Sequence, residues 1–142
     1  MYKGQFSNDT HTGKGTNYYK ETGIPEYEGN LLNGQKHGQG IQYHENGKIY
    51  YEGAFVDNTP NTAHGKIYDE DGALWYEGSL VDGVKSGPGK EFHENGEIQF
   101  EGTFADGFPD GDVITYHENG EIKYRGEMTA GLRDGDGIEY DD

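Results

Sequence analysis

Residues 43–55 read YHENGKIYYEGAF, and two signals in this stretch decide the fold. Asn46-Gly47 is the dipeptide of a tight hairpin turn, whose central residues take positive φ. Beyond it, Ile49, Tyr51, Gly53 and Phe55 alternate with Tyr50, Glu52 and Ala54, the period-two pattern of a strand with one buried face. The stretch recurs as FHENGEI at 92–98 and YHENGEI at 116–122, with Asp71-Gly72 in the place of Asn-Gly in between. Working outward, units open at Tyr2, Tyr27, Tyr51, Tyr76, Phe100 and Tyr124, at intervals of 25, 24, 25, 24 and 24 residues. A fixed period of this length marks a repeat architecture.

The columns of the repeat carry nearly all the residues that could build a core. Tyr19, Tyr43, Tyr68, Phe92, Tyr116 and Tyr140 form a second aromatic column. A third holds Phe6, Leu31, Phe55, Leu80, Phe104 and Met128, and a fourth holds Ile24, Ile49, Leu74, Ile98 and Ile122. One glycine column is complete: Gly4, Gly29, Gly53, Gly78, Gly102 and Gly126. It lies between two large residues of one face and is expected to leave room for a ring from the adjacent hairpin. The Asn-Gly turns are expected to join a short strand to a longer one. Segments such as LLNGQKHGQG (31–40) and LVDGVKSGPG (80–89) are expected to be the longer, glycine-rich connections. No helical periodicity is present.

Tyr-Glu-Gly followed by Gly-x-x-x-Gly-x-Gly, as in YEGNLLNGQKHGQG, resembles the MORN repeat. The YHENGKIYYEGAF form is most similar to the variant MORN repeats of bacterial antitoxin-like and immunity-like proteins. The resemblance spans residues 2–140, in phase, as 2–26, 27–50, 51–75, 76–99, 100–123 and a truncated 124–142, within one domain over 1–142. Asp9 and Asn58 stand for a loop glycine and Val113 for another, and repeats one and three each carry an inserted residue. The expected fold is all-β: a MORN-like repeat rod, about six tandem β-hairpins in one elongated antiparallel twisted sheet. Twelve strands at roughly 4.8 Å would make it near 58 Å long.

Composition alone argues for disorder: Leu, Ile, Val and Phe together number 23 of 142 residues at a net charge of −16, in the range of chains without a core. The 12 Tyr, 6 Phe and 1 Trp argue the other way, because each ring can bury roughly 150–250 Å². With no cysteine, disulfide and thiolate chemistry are excluded, and a reducing, cytoplasmic location is expected. No apolar run reaches the roughly 20 residues of a membrane span, and MYKGQFSNDT lacks the apolar core of a signal peptide. Eleven Lys and Arg against 27 Asp and Glu disfavour direct contact with nucleic acid or an anionic membrane.

Motifs for chemistry are weak. His44, His93 and His117, each followed by Glu, sit in hairpins about 10 Å apart, whereas zinc ligands lie about 2.0–2.2 Å from one ion; they read as polar turns. Gly13-Lys-Gly15, Gly38-Gln-Gly40 and Gly87-Pro-Gly89 recur in phase with the repeat and open no helix, so they are not phosphate loops. Asp110-Gly-Asp112 and Asp134-Gly-Asp136-Gly lack the spacing and closing Glu of an EF-hand. No catalytic residue, metal or cofactor is expected, and the chain reads as a non-enzymatic protein-binding module.

The candidate binding residues follow from what the core does not use. Tyr50 and Trp75, alternating away from the core beside Glu52 and Glu77, form an exposed aromatic pair rimmed by acids. Phe108, with Pro109, stands in a loop reading ADGFPDG. Asp134 and Asp136 belong to the acidic end, residues 100–142, with 12 acids against 3 bases, which would steer a partner with a basic surface. The resemblance implies an antitoxin-like or immunity-like inhibitor that neutralises a toxin or effector by occlusion. Alternatives are an acidic nucleic-acid-mimicking inhibitor of a DNA- or RNA-binding enzyme, and a self-assembling scaffold joined end to end through its open sheet edges.

Overall fold

The computed structural model describes residues 2–7 and 10–140, with the side chains of 12–135 and 137–140; Asp9, Asp141, Asp142 and the side chains of Tyr2, Phe6 and Asp136 lie outside the described residues. The described residues form strands and no helix. In chain order these are β1 (Tyr2–Ser7), β2 (Thr10–Tyr18), β3 (Pro25–Leu32), β4 (Gln35–Tyr43), β5 (Ile49–Val56), β6 (Thr59–Pro60), β7 (Thr62–Tyr68), β8 (Leu74–Val81), β9 (Val84–Phe92), β10 (Ile98–Ala105), β11 (Phe108–Tyr116), β12 (Ile122–Thr129) and β13 (Leu132–Glu139). Each pairs antiparallel with the next in a single sheet; only the two-residue β6, which pairs with β5, lies off that path. The all-β hairpin-repeat architecture read from the sequence is the one observed.

The two kinds of turn exchange the roles expected of them. The tight two-residue hairpins are Asn33-Gly34, Asp57-Asn58, Asp82-Gly83, Asp106-Gly107 and Ala130-Gly131, with both residues at positive φ (52° and 80° in the first), as a type I′ turn requires. The glycine-rich segments after them are not loops but the strands β4, β9, β11 and β13. In the His-Glu-Asn-Gly stretches the glycine alone takes positive φ, 88° at Gly47, and Asn46 does not. There the Gly47 N–H donates to His44 O at 3.0 Å and the His44 N–H to Lys48 O at 2.8 Å, giving a loop built round a type I turn and closed by a left-handed glycine. The asparagine works through its side chain: Asn46 Oδ1 accepts from the Lys48 N–H, and Nδ2 donates to Glu70 O in the next loop.

The core is one layer of rings lying on backbone. Tyr27, Tyr51, Tyr76 and Tyr124 are almost wholly buried, with Leu31, Phe55, Leu80, Phe100, Phe104 and Val113. At Gly29, Gly53, Gly78 and Gly126 the ring comes from the glycine's own strand, not from the adjacent hairpin as expected. Tyr27 lies over Gly29 and across Gly40 of β4, so that a Cβ on Gly40 would sit 2.4 Å from the ring. The hydroxyl then donates to the carbonyl three residues on: Tyr27 to Asn30 (2.6 Å), Tyr51 to Ala54 (2.7 Å), Tyr76 to Ser79 (2.7 Å) and Tyr124 to Glu127 (2.9 Å). Phe55 stands edge-on to Tyr27 and Tyr51 at 5.2 and 4.9 Å, and Phe104 to Tyr76 at 5.6 Å, locking each hairpin to the next. Each such buried side chain contributes roughly 1.5–3 kcal/mol.

The fifth hairpin shows what the glycine is for. Val113 takes the place of Gly40, Gly65, Gly89 and Gly137, and faces Gly102 and Gly126 in the register. The ring beside it is Phe100, which has no hydroxyl to deliver to a carbonyl. Filling the seat and losing the hydroxyl go together.

Candidate functional site

The His-Glu-Asn-Gly loops tie neighbouring repeats together. His44 Nε2 lies 3.1 Å from Tyr68 O, His93 Nε2 2.9 Å from Tyr116 O and His117 Nε2 3.1 Å from Tyr140 O. Each imidazole therefore reaches the backbone of the next repeat rather than a shared ion, and no metal-binding cluster of His, Cys, Asp or Glu occurs among the described residues.

Tyr50 and Trp75 are exposed, at 38% and 43%, but they do not alternate away from the core. Tyr50 is the extra residue between the pairs Gln42↔Tyr51 and Tyr43↔Ile49, and Trp75 the extra residue between Ile67↔Tyr76 and Tyr68↔Leu74. A bulge leaves two successive side chains opposite one partner and re-aims the first. Trp75 consequently shares a cation with Tyr76: Lys85 Nζ lies 4.0 Å from the Trp75 ring centre, 5.2 Å from that of Tyr76 and 5.4 Å from that of Phe104. Glu91 closes this arrangement at 2.5 Å from Lys85 Nζ. The ring that Tyr50 touches is His44, at 5.0 Å. A period-two reading cannot see a bulge, so Lys85, the residue that covers Trp75, carried no signal in the sequence.

Glu52 and Glu77 lie on the opposite face of the sheet, away from Trp75. There Glu28, Ile41, Glu52, Lys66, Glu77, Lys90, Glu101, Ile114 and Arg125 pair in succession across the strands. The second aromatic column leans on this row. Tyr43 OH donates to Glu28 Oε2 at 3.2 Å and Tyr116 OH to Glu101 Oε1 at 2.5 Å. The Glu101 hydrogen bond first, then burial, raises the Tyr116 pKa, while burial first and Glu28 second raise that of Tyr43. Over β7–β12 the same face forms an open groove of about 1170 Å³, walled by Glu77, Lys90, Glu101 and Arg125 and lined by Phe92 and Ile114. No signal in the sequence pointed to this groove, because its lining residues come from four repeats.

Phe108 is 57% exposed. It opens β11 directly after the Asp106-Gly107 turn, paired with Ala105, and so is a strand residue rather than a loop tip. It belongs to a row at the tight-turn edge, with Leu32, Val56, Val81, Val84 and Leu132 all at least 41% exposed. Asp134 pairs with Glu127 and accepts a hydrogen bond from the Thr129 hydroxyl at 2.8 Å. Asp136 falls in β13, and its side chain lies outside the described residues. The structure thus gathers Phe108 and Asp134 at one edge, Glu52 and Glu77 on the groove face and Trp75 on the ring face, with Tyr50 against His44.

Comparison with known proteins agrees with this hairpin repeat. Residues 2–20, 27–49 and 124–142 match the MORN repeat, and residues 85–106 and 109–129 match the MORN repeat variant. No curated protein matches the chain. The MORN repeat is a non-catalytic repeat, and this chain is built of MORN repeats in both the standard and the variant form.

Proposed function

We propose that the protein is a non-enzymatic binding module whose partner is another protein. The observation that supports this most is the open groove on the face opposite the rings. Its 1170 Å³ exceeds the roughly 300–1,000 Å³ of small-molecule pockets, and its alternating Glu77, Lys90, Glu101 and Arg125 suit the mixed side chains of a polypeptide segment. In the finer reading, the partner is a toxin or effector whose active surface the sheet occludes, as the likeness to antitoxin-like variant repeats suggests.

Affinity capture tests this with the wild-type chain and an Ile114→Asp/Glu101→Lys variant, at low and high salt. A protein held by the wild type at both salt concentrations and lost by the variant supports the reading. Retention of every captured protein by the variant contradicts it. Co-expression with the captured partner then tests neutralisation: relief of that partner's toxicity supports the inhibitor reading, and unrelieved toxicity refutes it.

A further inference from the structure

Three cations follow the tight turns: Lys36, Lys85 and Arg133. All three fold onto the ring face. Lys36 Nζ lies 5.6 and 5.8 Å from the Tyr27 and Phe55 ring centres, Lys85 Nζ 4.0 Å from that of Trp75, and Arg133 Cζ 4.5 Å from that of Tyr124. Arg133 also pairs with Glu139. The attraction of a cation for an aromatic face accounts for the arrangement.

The consequence appears on the other face of the same edge. Val81↔Val84, Ala105↔Phe108 and Thr129↔Leu132 pair one residue closer to the turns than Leu80↔Lys85, Phe104↔Pro109 and Met128↔Arg133. Side chains alternate across a strand, so Val84, Phe108 and Leu132 project opposite the cations. These residues form a ridge, 42%, 57% and 73% exposed in turn, made continuous where Gly107 backs onto Val84 and Gly131 onto Phe108. Beside it Asp112 pairs with Glu127 and Glu127 with Asp134, while Asp82 and Asp106 occupy the turns. With its cations drawn to the rings, this edge presents an apolar row against carboxylates.

From this segregation we propose that the ridge Val81–Val84–Phe108–Leu132, with Asp112, Glu127 and Asp134, is a docking site for an amphipathic basic segment of a protein partner, seating apolar side chains on Phe108 and Leu132 and setting Lys or Arg against the carboxylates. The choice of occupant rests on charge. A second copy would bring like carboxylates together, and an anionic membrane would be repelled. The site adjoins the groove, with which it shares Asp112, and rests on and deepens the binding-module reading by giving the chemistry of one partner segment.

The test is an NMR titration of the full chain with a short alternating leucine–lysine peptide, beside serine–lysine and leucine–glutamate peptides. The leucine–lysine peptide should bind saturably, shift signals at residues 81–84, 105–112 and 127–134, and weaken as salt rises. Phe108→Ser/Leu132→Ser should cut its affinity about tenfold or more, and Asp112→Asn/Glu127→Gln/Asp134→Asn should reduce both affinity and salt dependence. All of these substitutions are at exposed positions, and an unchanged spectrum elsewhere verifies the fold. Equal binding of serine–lysine peptide, undiminished binding by the Phe108/Leu132 variant, or absence of saturable binding overturns the site. Shifts centred on Glu101, Ile114 and Arg125 also overturn it while leaving the groove-based function standing.

Discussion

Tyr76 stands for the residue on which this protein depends. It is fully buried, between the Phe104 ring and Lys85 on one hand and backbone on the other, where Gly78 and Gly89 leave the ring a flat seat and its hydroxyl takes the Ser79 carbonyl. The Phe100–Val113 hairpin supplies the control for this coupling. Phe100→Tyr alone should destabilise the chain by about 1–2 kcal/mol, because the hydroxyl meets Val113 instead of an open seat. Val113→Gly alone should cost about 1–2 kcal/mol as a cavity. The double variant should recover at least about 1 kcal/mol of the summed loss in chemical denaturation; strict additivity would mean that ring and seat are independent.

The same rings set an alkaline limit. Burial pushes Tyr27, Tyr51 and Tyr76 up from 10.0 to about 12. The folded chain holds these protons more tightly than the unfolded one, so their contribution is complete below pH 10 and is lost as pH rises from about 10 through 12. Unfolding over that window should coincide with tyrosinate absorbance. Ionisation of these tyrosines in a chain that stays folded at pH 11 would contradict the assignment.

At the level of the element, the tight turns decide register. Ala130 is held at φ 50°, a conformation in which a β-carbon costs roughly 1 kcal/mol and which asparagine tolerates better. Ala130→Asn should therefore raise stability by about 0.5–1 kcal/mol in thermal melts, and an unchanged or lowered melting temperature would argue against a type I′ turn there. The sequence showed that hairpins exist but not which turn is which. Asn33-Gly34 and Asn46-Gly47 carry the same dipeptide, and only the register of the paired strands distinguishes a type I′ turn from a type I turn with a left-handed glycine. The glycines of residues 34–40 read as loop because glycine disfavours strands, whereas Gly34 belongs to the tight turn and Gly40 is selected by the Tyr27 ring that covers it. Tyr50 and Trp75 were misplaced because a bulge breaks the alternation from which their direction was read. The columns, by contrast, are legible, since a ring that meets a glycine at Tyr27, Tyr51, Tyr76 and Tyr124 leaves both in phase.

Over the whole molecule, the composition that suggests disorder becomes consistent with a fold. Among the described residues a single sheet without a second layer has few positions for Leu, Ile and Val, and Tyr27, Tyr51, Tyr76 and Tyr124, lying on glycine, bury area that aliphatic residues supply elsewhere. Its charge of −16 opposes compaction, so moderate salt should raise the melting temperature by screening that repulsion. A melting temperature that falls steadily with salt would show instead that the ion pairs of the groove face, such as Lys90 with Glu101, dominate. The division of charge also shapes the surface: cations are drawn to the rings, leaving the apolar ridge flanked by acids.

The measurement that tests the central claim most directly is the NMR shift of the glycine α-protons. A ring lying flat over backbone shields the protons beneath it, so the α-protons of Gly40, Gly89 and Gly137 should move far upfield, those of Gly23, Gly34 and Gly96, with nothing near, should not, and Tyr76→Leu should return Gly89 to the ordinary range. Ordinary shifts at all three seats in the folded wild-type chain would contradict the account.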